Sequence, residues 1–341
     1  MKFNVIKKFT SIALITTMLL TGCSQGAAQT NEPKTEEPKE AQQTEQTFTI
    51  GISQLVEHPA LDASKQGFID EMKNQGINVE FLDQVAQGDI ANAQMIAEKF
   101  VKDDVDLIFT IATLSAQAAK QAIEGTDIPM VFTAVTDPVF SQLVTDLNVT
   151  DKNITGVVDA APIKENLELF KELKEDIKSI GIIYNIGESN SEVQVEQTKE
   201  IASALDLEIE TVGITSVNDI PQAVDTISKK VEGLYIITDN MVASAMSLVA
   251  KLAEENGLLT VSADGSHVAE GILVSKGISY YEIGKQTAVI TKEILVDNKD
   301  IAEISVQSSE NLEKKVNLKT MESLGLTKDH KAFEGAEFLE Q

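Results

Sequence analysis

Residues 107–135, LIFTIATLSAQAAKQAIEGTDIPMVFTAV, contain the pattern that decides the fold. An apolar, β-branched run, Leu107–Ala112, is followed by a helical stretch at 113–124 and then by a second such run, Pro129–Val135. Short strands that alternate with longer helices are typical of βαβ units, which build parallel sheets. The stretch therefore predicts an α/β fold.

The same alternation extends in both directions and occurs in each half of the chain. In the first half, the other predicted strands are Phe48–Gln54, Asn78–Val85 and Ile154–Val158, with helices at 60–75 and 89–102. In the second half, the predicted strands are Ser179–Asn185, Glu208–Ile214, Gly233–Asp239, Leu258–Ala263 and Ile272–Ser279, with helices near 162–174, 188–204, 218–230 and 241–255. About 294 residues follow from Phe48, more than a usual single core, so we expect two doubly wound parallel-sheet lobes.

The segment after the second run is expected to return to the first lobe. A helix is predicted at Tyr281–Val296, and an extended piece at Glu303–Gln307. Because the second lobe already has five strands, this helix can cover the first lobe, while the last strand and the tail lie on the second. Lobe 1 then comprises 48–157 and about 280–302, and lobe 2 comprises 158–279 and about 303–341. The two lobes are thus joined by a three-segment hinge around a cleft.

The amino terminus has the pattern of a secretory signal peptide, predicted at 1–22. Lys2, Lys7 and Lys8 precede the apolar run Phe9–Leu20, and small residues lead to the single cysteine, Cys23. A membrane span would need about 20 apolar residues, so a transmembrane helix followed by a buried thiol is disfavoured. The Leu-Thr-Gly-Cys sequence at 20–23 resembles a bacterial lipobox, which implies cleavage before Cys23 and lipidation of its sulfur.

Residues 24–47 are predicted to be a solvated tether. They are almost all small, polar or charged, and no large apolar side chain occurs before Phe48. Such a segment cannot bury enough surface to offset its ordering entropy. As a flexible coil it would span roughly 25–30 Å on average.

Composition excludes several kinds of partner. The formal net charge is −26, and loss of the three lysines of the signal peptide makes it −29 (−26 − 3), so neither nucleic acid nor anionic lipid headgroups are expected partners. All 28 basic residues are lysine, and a bound anion must therefore be held by lysine, hydroxyl or backbone N–H groups without a guanidinium fork. With Cys23 lipidated, no thiol is left for a disulfide or a metal site.

No cofactor or metal is expected. His58, His267 and His330 are far apart in sequence, and no G-x-G-x-x-G follows a predicted strand. The GISYYEIGKQ sequence at 277–286 lacks the first glycine and the terminal hydroxyl of a phosphate loop.

The candidate ligand site lies beyond the carboxyl ends of the strands, where open parallel sheets bind ligands. The residues that close the strands are small, polar and acidic: Gln54, Ala112, Thr113, Thr133–Asp137, Asn185, Thr238–Asn240 and Ser262–Asp264. Such a set suits a ligand with a cation and several hydrogen-bonding groups. Each Asp or Asn taken alone is equally well explained as a helix cap or a turn residue.

The Glu57-His58-Pro59 sequence between the first strand and the first helix has three interpretations. Glu57 and His58 could form an acid/base couple, or the loop could simply lead Pro59 into the first turn of a helix. We favour the third, a lip of the cleft whose side chains touch the ligand.

Six blocks in order resemble the ABC-transporter substrate-binding lipoproteins of the tryptophan/tyrosine type. They are IGISQLVEHPALDASKQGF at 50–68, DLIFTIATLSAQAA at 106–119, IPMVFTAVTDPV at 128–139, GIIYNIGESNSEVQVE at 181–196, LYIITDNMVASAM at 234–246 and GISYYEIGKQTA at 277–288. The resemblance implies a type I periplasmic-binding fold and delivery of a small molecule, an aromatic amino acid or a close relative, to an ABC permease with its ATPase. The predicted lipid anchor places the receptor, taken to be a monomer, on the outer face of the cytoplasmic membrane of a Gram-positive-type cell.

The cleft blocks of that family fall on sixteen positions here. They are Gln54, Glu57, His58, Ala112, Thr113, Thr133, Ala134, Asp137, Asn185, Glu188, Ser189, Asn190, Thr238, Asp239, Asn240 and Asp264. Asp239 and Asp264 match the need of an α-amino group for a desolvated partner. A ligand carboxylate would sit on hydroxyls and helix-start amides around Thr113 or residues 189–191.

Two other functions stay open at this stage. A ligand sensor of the same fold, coupled to a signalling partner, would have the same two lobes. A surface hydrolase that uses Glu57 and His58 is less favoured, since the chain has no G-x-S-x-G nucleophile elbow.

The predicted lipid anchor can be tested with a single substitution. Cys23→Ser removes the sulfur that would carry the lipid, so the variant should be shed into the medium while it still binds ligand. Cell fractionation with an immunoblot measures this. A variant retained on the cells as fully as the wild type would contradict the anchor.

Overall fold

The computed structural model describes residues 46–148, 153–309 and 312–340. The predicted signal peptide, Cys23 and the tether up to residue 45 lie outside the described residues. Within the described part, no helix is both long enough and apolar enough to cross a membrane.

The described chain alternates strands and helices from end to end. The strands are β1 (Thr47–Gln54), β2 (Asn78–Val85), β3 (Leu107–Ile111), β4 (Met130–Val135), β5 (Ile154–Val158), β6 (Ser179–Asn185), β7 (Glu208–Ile214), β8 (Gly233–Ile236), β9 (Leu259–Asp264), β10 (Val274–Ile278), β11 (Gln307–Ser308), β12 (Leu312–Asn317) and β13 (Glu337–Leu339). The helices are α1 (Pro59–Asn74), α2 (Ile90–Lys102), α3 (Thr113–Ala122), α4 (Ile163–Leu173), α5 (Ser189–Ala204), α6 (Ile220–Ile227), α7 (Asn240–Ala243), α8 (Met246–Glu255), α9 (Tyr280–Leu295) and α10 (Leu318–Ser323).

Two sheets organise these elements, and their central strands follow the same order. The first sheet runs β11-β5-β4-β3-β1-β2, and the second runs β13-β12-β10-β9-β8-β6-β7. All pairs are parallel except β10 with β12. The predicted α/β fold with two parallel sheets is confirmed. In each sheet the strand order reverses beside the first strand, at β1/β3 and at β6/β8, which is where open α/β sheets bind ligands.

Each sheet buries both of its faces. In β3, Leu107 and Phe109 belong to the core under α1 and α9, whereas Ile108 belongs to the core with α2 and α3. The ring of Phe68 on α1 stacks on Phe109 at 3.9 Å between centroids. The second sheet is covered in the same way, by α4 and α5 on one face and by α6 and α8 on the other. Strands buried on both faces explain the continuous apolar runs of the sequence.

The chain crosses between the sheets three times. It leaves the first sheet after Val158, returns at Ser279 between β10 and α9, and leaves again between Ser308 and Leu312. The third crossing corrects the prediction that residues from 303 onward lie on the second lobe. Residues up to 308 stay with the first sheet, because β11 pairs with the edge of β5 and the Thr155 hydroxyl donates to Ile304 O at 2.9 Å. A strand of two residues has too little periodicity to be seen in the sequence.

Other differences from the sequence prediction concern element ends. The extended piece predicted at Glu303–Gln307 is instead a 3₁₀ turn at Ile301–Glu303 followed by β11. The helix predicted at 241–255 is broken into α7 and α8, and the helix predicted at 218–230 ends at Ile227. The sequence does not predict β12 and β13, the last two strands of the second sheet. The lysines and the glutamate of β12 interrupt the alternation of apolar and polar residues that indicates a strand.

Helix α9 packs backbone to backbone on α1 of the first lobe. A Cβ added at Gly284 would clash with the carbonyl oxygen of Ser64, and one added at Gly67 would clash with that of Tyr281. Close approach of two helices requires residues without side chains at the contact, so these glycines fix the separation of α1 and α9. Since α9 begins directly after the second crossing, this contact also anchors the hinge.

Gly284→Ala should destabilise the fold. The new methyl group must displace the backbone of α1, and overpacking of this kind costs about 1–3 kcal/mol. Urea unfolding followed by circular dichroism measures the loss. The exposed Val289→Ala on the same helix is the control and should change stability by less than about 0.5 kcal/mol. Equal effects of the two substitutions would refute the close contact.

Candidate functional site

A narrow cavity lies between the two lobes at the carboxyl ends of their strands. Its volume is ≈ 10 Å³. The lining residues come from both lobes and from the hinge: His58, Leu61, Ala134, Thr136, Asp159, Asn190, Thr238, Asp239, Asn240, Ala243, Asp264, His267 and Tyr280. The lining is rich in carboxyl, amide, imidazole and hydroxyl groups and contains no lysine.

Two hydrogen bonds join the lobes across this cavity. His58 Nε2 lies 3.3 Å from Asn240 Oδ1, and the hydroxyls of Thr136 and Thr238 lie 3.3 Å apart. Small-molecule sites usually measure about 300–1,000 Å³, so entry of a ligand of amino-acid size requires the lobes to separate. Three crossing segments form the hinge that such a movement needs.

The Glu188 carboxylate connects several elements of the second lobe by hydrogen bonds. Its carboxylate accepts hydrogen bonds from the side-chain amides of Asn185, Asn190 and Asn240 at 3.2, 3.2 and 2.6 Å. It also accepts from the backbone N–H groups of Asn240 and Met241, each at 3.1 Å. These bonds join the start of α5 to the start of α7 and fix Asn240 opposite His58.

Asp239 is a second buried carboxylate, and it caps α7. It accepts from the backbone N–H groups of Asn185 at 2.6 Å and Val242 at 2.9 Å, and from the Ser191 hydroxyl at 2.7 Å. Burial, followed by the nearby charge of Glu188, raises the pKa of Asp239 to about 7, while its hydrogen bonds oppose that rise.

Two histidines line the cavity, His58 from the first lobe and His267 from the second. Burial, with a further contribution from His267, lowers the pKa of His58, whereas Asn240 and Asp264 oppose that shift. His267 is held by Ser262, whose Oγ lies 2.8 Å from its Nδ1, and its Nε2 lies 3.4 Å from Asp264 Oδ2.

A buried pair at the hinge completes the cavity. Asp159 follows β5 in the first crossing, and Tyr280 begins α9 after the second. The Tyr280 hydroxyl donates to Asp159 Oδ2 at 2.7 Å. Burial raises the pKa of Asp159, and the hydroxyls of Tyr280 and Thr136 oppose the rise.

Seven of the sixteen predicted site residues line the cavity. They are His58, Ala134, Asn190, Thr238, Asp239, Asn240 and Asp264. The other nine lie outside its lining: Gln54, Glu57, Ala112, Thr113, Thr133, Asp137, Asn185, Glu188 and Ser189.

Several of those nine residues make contacts that shape the walls of the site. Gln54 donates to Asp62 Oδ1 at 2.7 Å, and Asp137 accepts from the backbone of the turn that follows it. The Thr133 hydroxyl lies 3.4 Å from that of Ser64. Ala112 has a φ of 83°, a left-handed value that is strained for alanine and that turns the chain sharply from β3 into α3.

The acid/base couple left open by the sequence is not formed. Glu57 is exposed, whereas His58 is buried and bonded to Asn240 across the cleft. Pro59 is the first residue of α1, as the second interpretation expects, and His58 lines the cavity, as a lip of the cleft requires. Contact of this loop with a ligand stays a prediction. Among the described residues, no group of three His, Cys, Asp or Glu side chains is arranged to hold a metal ion.

Six lining residues were missed: Leu61, Thr136, Asp159, Ala243, His267 and Tyr280. A signal existed for two of them. Thr136 lies in the polar run that closes β4, and Asp159 directly follows β5, where it occupies the same kind of strand-end position. The others reach the cavity from helices, where strand ends give no indication.

Comparison with known proteins gives a consistent result. A family model described as ABC transporter substrate binding protein matches residues 49–337. A tyrosine-binding protein of Clostridioides difficile is 38% identical over 316 residues, which cover 91% of this chain and 89% of the relative.

Two solved structures resemble the chain along most of its length. One, from Streptococcus pneumoniae, is an ABC domain in complex with L-Trp, with a TM-score of 0.80 and 29% identity over 85% of this chain and 100% of the other. The other is the ligand-free, open structure of a Clostridium difficile substrate-binding protein with adhesive properties, with a TM-score of 0.67 and 38% identity over 86% and 99%. The backbone as a whole thus agrees better with the L-Trp complex than with the open structure, although the open structure is more similar in sequence.

Asp239 should give the stability of the protein a distinctive pH dependence. Folded Asp239 keeps its proton up to about pH 7, whereas the unfolded chain loses it near 3.8, so this group lowers stability progressively as pH rises from about 4 to 7. Asp239→Asn cannot titrate. Between pH 5 and 8 its free energy of unfolding should rise relative to wild type by about 2 kcal/mol, since one pKa unit corresponds to about 1.4 kcal/mol.

Urea titrations at the two pH values measure this difference. The exposed Asp225→Asn serves as the control and should follow the wild type within about 0.5 kcal/mol. A constant difference between Asp239→Asn and wild type at both pH values would contradict the raised pKa.

Proposed function

Because the chain belongs to the family of ABC transporter substrate-binding proteins, we propose that it captures an aromatic amino acid between its lobes and delivers it to a membrane permease. The resemblance found in the sequence is confirmed at the level of the family, and the fold is that of type I periplasmic-binding proteins. The choice of ligand rests on the acidic cavity. Its lining contains no lysine, and it lies between two lobes that can separate.

The lining of the cavity favours a ligand with an ammonium group. Asp159, Asp239 and Asp264 are all buried there. Burial weakens solvation of a carboxylate, and a cation of the ligand restores a favourable environment for it. A ligand that carried only negative charge would find no cationic side chain in this lining.

The start of α3 offers a place for the carboxylate of an amino acid. Thr113 and Ser115 lie in its first turn, are buried, and have hydroxyls without a hydrogen-bond partner among the described residues. The first N–H groups of a helix favour anions. Ile111 pairs with Thr133, so this helix start lies close behind Ala134, which lines the cavity, and separation of the lobes would give a ligand access to it.

Apolar surface for a ring is also present. Leu61, Ala134 and Ala243 contribute methyl and methylene groups to the lining, and Tyr280 contributes a ring. The relatives agree with this choice, because one is named for tyrosine and another is a complex with L-Trp.

The predicted lipid on Cys23 and the tether would keep the receptor close to its permease.

A ligand panel tests this proposal. The chain without residues 1–23 should gain thermal stability with at least one of L-Tyr, L-Trp and L-Phe, because a ligand that binds only the folded state adds about 2.7 kcal/mol at a hundredfold excess over Kd. Differential scanning calorimetry measures the gain. Glycine, which has no ring, and glucose, which has no charge, are the controls. Unchanged melting with all three aromatic amino acids would refute the aromatic assignment.

A further inference from the structure

We propose that Asp159, at the hinge, is the residue that receives the ligand's ammonium group, through its free Oδ1 atom. The inference rests on the proposed function, since it takes the ligand to be an amino acid. It also departs from the sequence, which favoured Asp239 and Asp264 for this role. The three carboxylates of the cavity differ in what their oxygens already do.

Asp239 is already bonded at both of its oxygens by groups of its own lobe. Its Oδ1 accepts from the backbone of Val242, and its Oδ2 accepts from both Asn185 N and Ser191 Oγ. All three donors belong to the second lobe, and they hold the starts of α5 and α7 against the end of β6. An ammonium group at Asp239 would have to compete with bonds that maintain this lobe.

Asp264 is occupied in a similar way. Its Oδ1 accepts from the backbone N–H of Ser266 and its Oδ2 from the Ser266 hydroxyl, each at 2.8 Å. Its Oδ2 also lies 3.4 Å from His267 Nε2. The carboxylate therefore caps the turn that follows β9.

Asp159 alone has an oxygen without a donor. Its Oδ2 accepts from Tyr280, whereas its buried Oδ1 has no described partner at hydrogen-bond distance, and only 3% of the residue is exposed. The Thr136 hydroxyl, which also acts on this carboxylate, lies 3.3 Å from the Thr238 hydroxyl. A buried acceptor without a donor is destabilising, and more so when it is charged. An ammonium group brings three donors and a positive charge, so it satisfies this oxygen and neutralises the carboxylate together.

The position of Asp159 defines what it does for the ligand. Its backbone N–H donates to Val135 O at 3.2 Å, and its side chain is tied to Tyr280 at the start of α9. Two of the three hinge segments thus hold the carboxylate. Lobe movement leaves such a group nearly in place, so the ammonium is fixed at the hinge while the lobes close on the rest of the ligand.

A binding cycle with four ligand–protein pairs for each amino acid tests this assignment. Isothermal titration calorimetry is run on wild type and Asp159→Asn, with L-Tyr, L-Trp and L-Phe and with their deaminated counterparts 3-(4-hydroxyphenyl)propionate, indole-3-propionate and 3-phenylpropionate. Asparagine keeps the shape and can still accept from Tyr280. The variant should lose about 10- to 100-fold in affinity for the amino acid, as expected for a charged hydrogen bond. Its affinity for the deaminated acid should change less than about 3-fold.

Two further variants make the result specific. Asp264→Asn should change the affinities for both ligands of a pair by the same factor, because its oxygens bind Ser266. Tyr280→Phe retains the charge of Asp159, so it should keep the preference for the amino acid over the deaminated acid. Melting temperatures without ligand separate binding effects from folding.

The possible results distinguish failure of the Asp159 assignment from failure of the proposed ligand class. Equal losses of Asp159→Asn for both ligands of a pair, or a selective loss in Asp264→Asn instead, would overturn the assignment while leaving the receptor function intact. A wild type that binds the amino acid and the deaminated acid equally well would overturn it too. A wild type that binds none of the three amino acids would instead remove the proposed ligand class.

Discussion

Four carboxylates lie buried around the cleft, and the hydrogen bonds that hold them come from amides and hydroxyls. The chain has no arginine, and no lysine lines the cavity. Glu188 and Asp239 are therefore held by several neutral donors each, including three asparagine amides at Glu188, whereas Asp159 has one donor, Tyr280. This requirement fixes the geometry of α5, α7 and the strand ends, because the donors lie on these elements. A cluster of carboxylates without a cation also makes the site suited to a cationic ligand.

The matching strand orders of the two sheets bring these groups together. Both sheets direct the carboxyl ends of their central strands at one cleft, so loops far apart in sequence meet there. Crossings at 158, 279 and after 308 then join the sheets at one side. The glycine contact between α1 and α9 fixes the position of Tyr280, and through it the Asp159 carboxylate. Fold and binding site are therefore coupled by packing at the hinge.

The same arrangement explains how a receptor can open and close. Across the cavity the lobes are joined by His58 with Asn240 and by Thr136 with Thr238, two bonds of 3.3 Å. Neutral hydrogen bonds contribute only about 0.5–1.5 kcal/mol each, so they do not lock the lobes together. A bound ligand that contacts both lobes shifts this balance towards closure by its differential affinity for the closed form.

The sequence by itself determined the α/β class, two lobes and nearly all central strands, because buried parallel strands appear as apolar runs between helices. It also predicted a ligand site at strand ends, and seven of the sixteen predicted residues line the cavity between the lobes. Only the tertiary structure decided that β11 stays on the first sheet and that Asp159, His267 and Tyr280 reach the cavity. Whether a polar side chain faces the cleft or caps a helix depends on its partners, as the hydrogen bonds of Asp239 and the free oxygen of Asp159 show. Those partners come from segments that are distant in sequence, so no local pattern records them.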